Sequence, residues 1–254
     1  MTPIEKTLEL LNLHHRSFFE AKPFADETQH PNPSDTRGWS QILVSLLYQK
    51  KGLARQKGAD IEDGSDVKAA SAWDAIDTPR FNGVIKAGTK SELSGNMASL
   101  DAMPKLFFVL WDNEPENKRE RCRVWVLRPQ HDTIFREICE KWYKQRDEGT
   151  ITSNNFQLHP PRNLNSSIIT NDCGNLIYPL LFSAEWVENQ YIVTFFDESI
   201  LENGLCTKPT PEQESELQEQ KKALSKAKRE LKKIEKEATE IIAVKPKKTR
   251  KKKD

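Results

Sequence analysis

The chain has 254 residues, 36% hydrophobic and 30% charged, with a formal net charge of +1. That length accommodates one sizeable domain, or one domain with an extension, and the low apolar fraction leaves part of the chain outside any core. The absence of a membrane-length apolar run, of a secretion signal in Met1-Thr2-Pro3-Ile4-Glu5-Lys6 and of any Cys-x-x-Cys pair among Cys122, Cys139, Cys173 and Cys206 points away from membrane, secreted and zinc-module proteins and toward a reduced cytoplasmic one.

Residues 4–20 predict an amphipathic helix that buries Ile4, Leu8, Leu11, Phe18 and Phe19. His14 and His15 lie within it, but neighbours on a helix point to different faces, which argues against a shared metal. Residues 21–34 carry Pro23, Pro31 and Pro33 and predict a loop. Ser34 or Asp35 then caps a second helix, through Trp39, Ile42, Leu43, Leu46 and Leu47, that ends near Gly52.

The chain next places Asp60, Glu62, Asp63, Asp66 and Lys68 within nine residues around Asp63-Gly64. Asp-Gly between short potential strands signals a hairpin. A two-residue turn sends Asp60 to the face opposite Asp66 and Lys68. A three-residue loop, Asp63-Gly64-Ser65, pairs Glu62 with Asp66 and Asp60 with Lys68, and gathers Asp60, Glu62, Asp66 and Lys68 on one face. The second register is favoured, because four charges on one face need a reason and a metal is one. Carboxylates that hold Mg²⁺ beside an ammonium group that manages a water suit a phosphodiesterase. Acid-x-Lys occurs five times in the chain, and only Asp66-Lys68 combines further acids just upstream with a hairpin signal and an apolar residue between its members. The bland alternative is an acidic surface turn with a solvated lysine.

Residues 73–104 are rich in glycine and polar groups. Arg80, Asn82, Lys86 and Lys90 can contact phosphates or base edges with Phe81 packed between them, or else form an ordinary surface loop around a buried aromatic. Leu106–Trp111 and Cys122–Leu127 predict core strands. Asp132 or Thr133 opens a helix with Ile134, Phe135, Ile138, Cys139, Trp142 and Tyr143 in one stripe, stopping at Gly149. Arg162 comes next, in a loop-rich stretch. Leu176–Phe182 and Tyr191–Phe196 predict further core strands, with Trp186 as packing.

The last segment differs in kind. Residues 212–254 hold fifteen Lys or Arg and nine Asp or Glu, so a basic tail offsets a mildly acidic body. From Pro211 to Ile242 the composition favours helix. Leu217, Leu224 and Leu231 at heptad spacing fit either a short dimeric coiled coil or a helix lying on the domain. Lys245–Lys253 is too charged to fold alone and suits sequence-independent phosphate contact or solubility.

The runs Gly58–Ala70, Ala75–Gly83 and Lys86–Thr89, with Trp73, resemble the MamI-type restriction endonucleases over about residues 38–90. The resemblance implies a Type II restriction endonuclease with the P-D-(D/E)-x-K core, an α/β (α+β) fold whose mixed β-sheet is flanked by helices. Asp66 and Lys68 match the acid-x-Lys element. The first acid is Asp60, which has the Gly-x-Asp-apolar form, or Asp63, which lies closer. Asp60, Asp63 and Asp66 are the implied metal ligands, Lys68 the residue that orients the water, Mg²⁺ the cofactor, and double-stranded DNA the substrate of a homodimer. Residues 1–210 are then the catalytic and DNA-binding domain, 211–242 a charged helix and 243–254 a basic tail. Two rivals are a less specific metal-dependent nuclease of the repair type and a non-catalytic DNA-binding or assembly protein.

Overall fold

The structure, a computed structural model, describes residues 1–28, 35–53, 58–73, 78–86 and 97–243. In chain order the first half holds α1 (Pro3–Thr28), α2 (Arg37–Tyr48), β1 (Asp66–Ser71), β2 (Phe81–Lys86), α3 (Ala98–Asp101), β3 (Leu106–Asn113) and β4 (Glu120–Leu127). The second half holds α4 (Thr133–Asp147), β5 (Asn155–Leu158), β6 (Ile168–Ile169), β7 (Leu176–Ile177), β8 (Leu180–Val187), β9 (Gln190–Phe196), α5 (Ile200–Asn203) and α6 (Pro211–Ala243). Two units emerge, Met1–Pro209 and Thr210–Asp254. Within the second, α6 carries Glu212 and Glu214 in its first turn, where the helix dipole favours negative charge. The predicted basic tail lies outside the described residues.

The first unit is built on a five-stranded mixed sheet in the order β1-β3-β4-β8-β9. β1 runs parallel to β3, and the remaining neighbours are antiparallel. Both faces of β3 are covered, which explains its unbroken apolar sequence. Phe107, Val109 and Trp111 face a core formed with Leu11 and Phe18 of α1 and Leu43, Val44 and Leu47 of α2. Leu106, Phe108 and Leu110 face the opposite core, with Phe135, Ile138 and Trp142 of α4 and Phe81, Phe156 and Leu158 of the β2–β5 ribbon. The expected mixed sheet flanked by helices is therefore present.

The predicted boundaries depart from the structure in three places. First, α1 runs through Pro23 to Thr28 rather than ending at residue 20. Pro23 is exposed, so its ring and missing donor lie on the solvent face of the helix, and buried Ala25 anchors the final turn. Second, Thr36 rather than Ser34 or Asp35 takes the N-cap position of α2, and the helix ends at Tyr48, short of Gly52, because Gln49 adopts the left-handed conformation. Third, the single strand expected over Leu176–Phe182 is broken at Tyr178-Pro179. Proline cannot donate to a ladder, and the Pro179 carbonyl instead accepts from Val126 N at 3.1 Å.

His14 and His15 do point to different faces of α1. His15 stacks on Trp186 with centroids 3.4 Å apart. His14 sits among Trp39, Trp73 and Trp111, with the Trp111 ring 4.2 Å away, and its Nδ1 has no hydrogen-bond partner. Burial, reinforced by neighbouring His15, lowers the His14 pKa from 6.5 to about 4. The folded state thus binds this proton less well than the unfolded chain does. The stability contributed by neutral His14 is present above pH 6.5 and is lost as the pH falls toward 4. We expect denaturant titrations to show a loss of roughly 3 kcal/mol from this residue between pH 7 and pH 4. A His14→Phe variant should lack that share of the acid sensitivity; equal slopes in both proteins would remove the assignment.

Candidate active site

The acidic stretch does not form the expected hairpin. Asp60–Glu62 pairs backward with residues 51–53: Glu62 N donates to Lys51 O at 2.9 Å and Leu53 N to Asp60 O at 2.8 Å, around an antiparallel bridge between Gly52 and Ile61. A tight turn comes next, in which Gly64 N reaches Ile61 O at 3.0 Å. Gly64 takes φ +96, and a Cβ there would meet the Ala102 carbonyl at 3.1 Å. β1 then starts at Asp66 and takes its strand partner from β3, with Asp66 opposite Leu106 and Lys68 opposite Phe108. The long apolar β3 outcompetes a short polar stretch as partner because it brings two covered faces with it.

Asp60 still reaches Asp66, by side chain rather than by strand pairing. β1 is an edge strand, and Asp66 N points inward to Lys105 O at 3.1 Å. The next amide, Val67 N, therefore points outward, and Asp60 Oδ2 accepts from it at 2.9 Å. Asp60 Oδ1 accepts from Gln41 Nε2 of α2 at 2.6 Å. Asp66 Oδ1 shares the Val67 amide at 2.9 Å, and Asp66 Oδ2 lies 2.5 Å from Lys68 Nζ. Burial pushes the Asp66 carboxyl up to about 6, against the pull of Lys68 and with the help of the adjoining Asp60 carboxylate. Two crowded carboxylates beside one ammonium form a site with unmet demand for positive charge.

The other predicted ligands point elsewhere. Asp63 accepts from Tyr48 Oη at 2.7 Å and from Ser65 N at 3.0 Å. Burial opposes its ionisation, but these bonds hold its carboxyl below the usual carboxylate range. Glu62 is exposed and accepts from Lys51 N at 3.2 Å. Among the described residues no group of three or more His, Cys, Asp or Glu side chains comes together as a metal site. Asp60 and Asp66 nonetheless offer the hard oxygen donors that Mg²⁺ prefers. One or two carboxylates suffice for that ion, because it keeps several waters and takes substrate oxygens.

The candidate DNA contacts lie apart from the carboxylates in sequence. Arg80 donates to Thr78 O and Gln157 Oε1, both at 3.3 Å, and Asn82 is exposed on the β2–β5 ribbon. Phe81 between them is fully buried, 5.0 Å from Phe108, so it is core. Of Lys86 only the backbone is described, and Lys90 lies outside the described residues. Arg162 is half-buried on the loop between β5 and β6.

Sequence reasoning missed two features. One is Gln41, whose grip on Asp60 spans 19 residues and leaves no local pattern. The other is a buried ion cluster. Asp112 accepts from Arg121 Nε at 3.0 Å and Nη2 at 2.9 Å, from Arg123 Nη2 at 2.7 Å and from Asn163 N at 2.9 Å. Its signal was available: Arg121 and Arg123 alternate with Cys122 and Val124 in a strand otherwise suited to a core.

A family model for the MamI restriction endonuclease matches residues 23–193. A curated relative, "Type II restriction enzyme MamI" of Microbacterium ammoniaphilum, is 30% identical over 163 residues, covering 59% of this chain and 52% of that protein. The chain thus spans about half the length of the curated relative it matches. No solved structure matches it.

Proposed function

Because the chain belongs to the MamI restriction endonuclease family, we propose that it is a Type II restriction endonuclease making site-specific double-strand cuts in DNA by Mg²⁺-dependent phosphodiester hydrolysis. The observation that carries this reading is the adjoining Asp60 and Asp66 carboxylates with Lys68 at 2.5 Å, on the edge strand β1 inside the matched segment.

Asp60 and Asp66 are the residues that would hold Mg²⁺. When bound, the cation supplies charge stabilisation at the phosphate oxygens and the leaving group. Gln41 and the Val67 amide fix the Asp60 carboxylate, which orients it toward Asp66. Asp66 in turn fixes Lys68, whose Nζ orients the attacking water and helps remove its proton. Asp63 supports the turn through Tyr48 and Ser65. Arg80, Asn82 and Lys86 of the ribbon segment, Lys90 and Arg162 are assigned to DNA contact, and a two-stranded ribbon is narrow enough to enter a major groove. Cutting both strands of a twofold-symmetric site requires two active sites, hence a homodimer. Residues 1–210 carry this chemistry, with 211–242 a charged helix and 243–254 a basic tail.

The test is digestion of phage DNA by the purified protein with Mg²⁺ or Mn²⁺. Discrete bands that vanish with chelator support the proposal. A smear favours a less specific nuclease, and DNA binding without cleavage under either ion favours a non-catalytic binding protein.

A further inference from the structure

Beside Asp60 opens a pocket of about 500 Å³, lined by Gln41, Ile42, Lys50, Lys51, Leu53 and Asp60 among others. Its construction ties it to the candidate site. Helix α2 ends at Tyr48, and Gln49 in the left-handed conformation, φ 55, turns the chain outward. Lys50 and Lys51 come at once after it. The Lys51 backbone is tied to Glu62 by two hydrogen bonds and Leu53 N to Asp60 O by one, so Lys51 rides on the same ladder as Asp60, with Lys50 directly before it.

The pocket has two kinds of surface. Ile42 and Leu53 are 51% and 40% exposed there, apolar side chains that serve no core. Lys50 lies over the Tyr48 ring at 5.6 Å, and neither it nor exposed Lys51 forms an ion pair within 4.0 Å among the described residues. The Gln41 amide is engaged with Asp60. What faces an incoming molecule is therefore an apolar wall with two lysines, the polar side chains of Ser45 and Gln49, and Asp60 at the end nearest the candidate site. A sugar–phosphate backbone matches that pair of surfaces, with deoxyribose against the wall and phosphate against the lysines. A base edge is the poorer match, because the cationic groups of the pocket are lysine ammoniums, which only donate and act on phosphate as point charges.

Resting on the nuclease reading, we propose that this pocket seats the DNA backbone next to the scissile phosphate, with Lys50 and Lys51 as its phosphate contacts. The pocket and the Asp60–Asp66–Lys68 group then form one track, in which backbone binding beside Asp60 delivers the phosphodiester to the reacting groups.

The experiment measures binding of the full chain to a short DNA duplex in Ca²⁺, by fluorescence anisotropy, across salt from about 50 to 300 mM. Each phosphate contact contributes about 0.9 to the slope of log K against log salt. The Lys50→Ala/Lys51→Ala variant should therefore show a slope shallower by about 1.8 and weaker binding at low salt by about tenfold or more. Leu53→Glu, which places an acid on the exposed wall, should weaken binding with both lysines intact. Thermal melting of each variant checks folding. Wild-type slope and affinity in both variants would overturn the proposal while leaving the nuclease reading in place. A wild-type protein that binds no DNA takes down both.

Discussion

Lys68→Ala should lower single-turnover cleavage by about 10²–10⁴ while DNA binding in Ca²⁺ stays within about threefold of wild type. The site's geometry separates the two effects. Lys68 Nζ sits 2.5 Å from Asp66, and its side chain is only 19% exposed, so it faces the carboxylates rather than a broad DNA surface. Its backbone lies mid-strand in β1, opposite Phe108, where alanine keeps the ladder intact. The loss therefore belongs to the reacting groups and not to the fold, which a melting curve can check. Lys68→Arg should not restore the rate. Arginine keeps the positive charge, but its planar fork cannot occupy the same point position. Cleavage by Lys68→Ala at the wild-type rate would falsify the site assignment. Recovery by Lys68→Arg would retain the site but reduce the role of Lys68 to charge alone.

How much of this could be read before the structure depended on how local each signal was. The helix at Thr133–Asp147 was legible at both ends: Asp132 accepts from Phe135 N at 2.9 Å as its cap, and Gly149 takes φ +73 where the helix stops. β3 was legible because both its faces are buried and Leu106–Trp111 runs apolar without a break, and β4 because Val124–Leu127 does the same after the alternating arginines. The acid-x-Lys pair was legible for the same reason, two residues apart on one strand. The partner of β1 was not. Choosing between an adjacent hairpin and β3, some 40 residues on, depends on which pairing covers two faces at once, and no turn signal encodes that. The Asp63-Gly64 signal marked a real turn, yet the turn leads into an edge strand whose free amide draws in the Asp60 side chain. The ribbon was missed likewise, because Phe81 meets Leu158 and Asn82 meets Gln157 across a long interval. Pro23 misled in the other direction: on an exposed helix face its missing donor costs little.

Asp112→Ala should destabilise the protein by about 3–5 kcal/mol in denaturant titration, the largest effect expected of a single side chain remote from the chemistry. Asp112 is fully buried and is the only carboxylate that the described ion pairs give Arg121 and Arg123, whose side chains are each 5% exposed. Removing it strands two guanidinium groups in the interior. Burial already draws the Arg123 pKa down to about 10 even with Asp112 opposing the shift. The cluster also fixes a loop. Arg123 donates to Pro161 O at 2.9 Å, to Leu164 O at 3.1 Å and to Ser166 O at 3.0 Å, while Asp112 accepts from Asn163 N at 2.9 Å. These bonds grip the backbone on both sides of Arg162, the residue between Pro161 and Asn163. If Arg162 contacts DNA as proposed, Asp112→Ala should weaken DNA binding at temperatures where the variant is still folded. Arg162→Ala should weaken binding without moving the denaturation midpoint. Replacing Arg121 and Arg123 by Met together with Asp112→Ala should recover part of the stability, because the cost comes from unpaired buried charge, but it should not recover binding, because the loop loses its backbone anchors. Recovery of both would show that packing alone holds the loop; a midpoint unchanged by Asp112→Ala would show that the buried guanidinium groups find other partners or water.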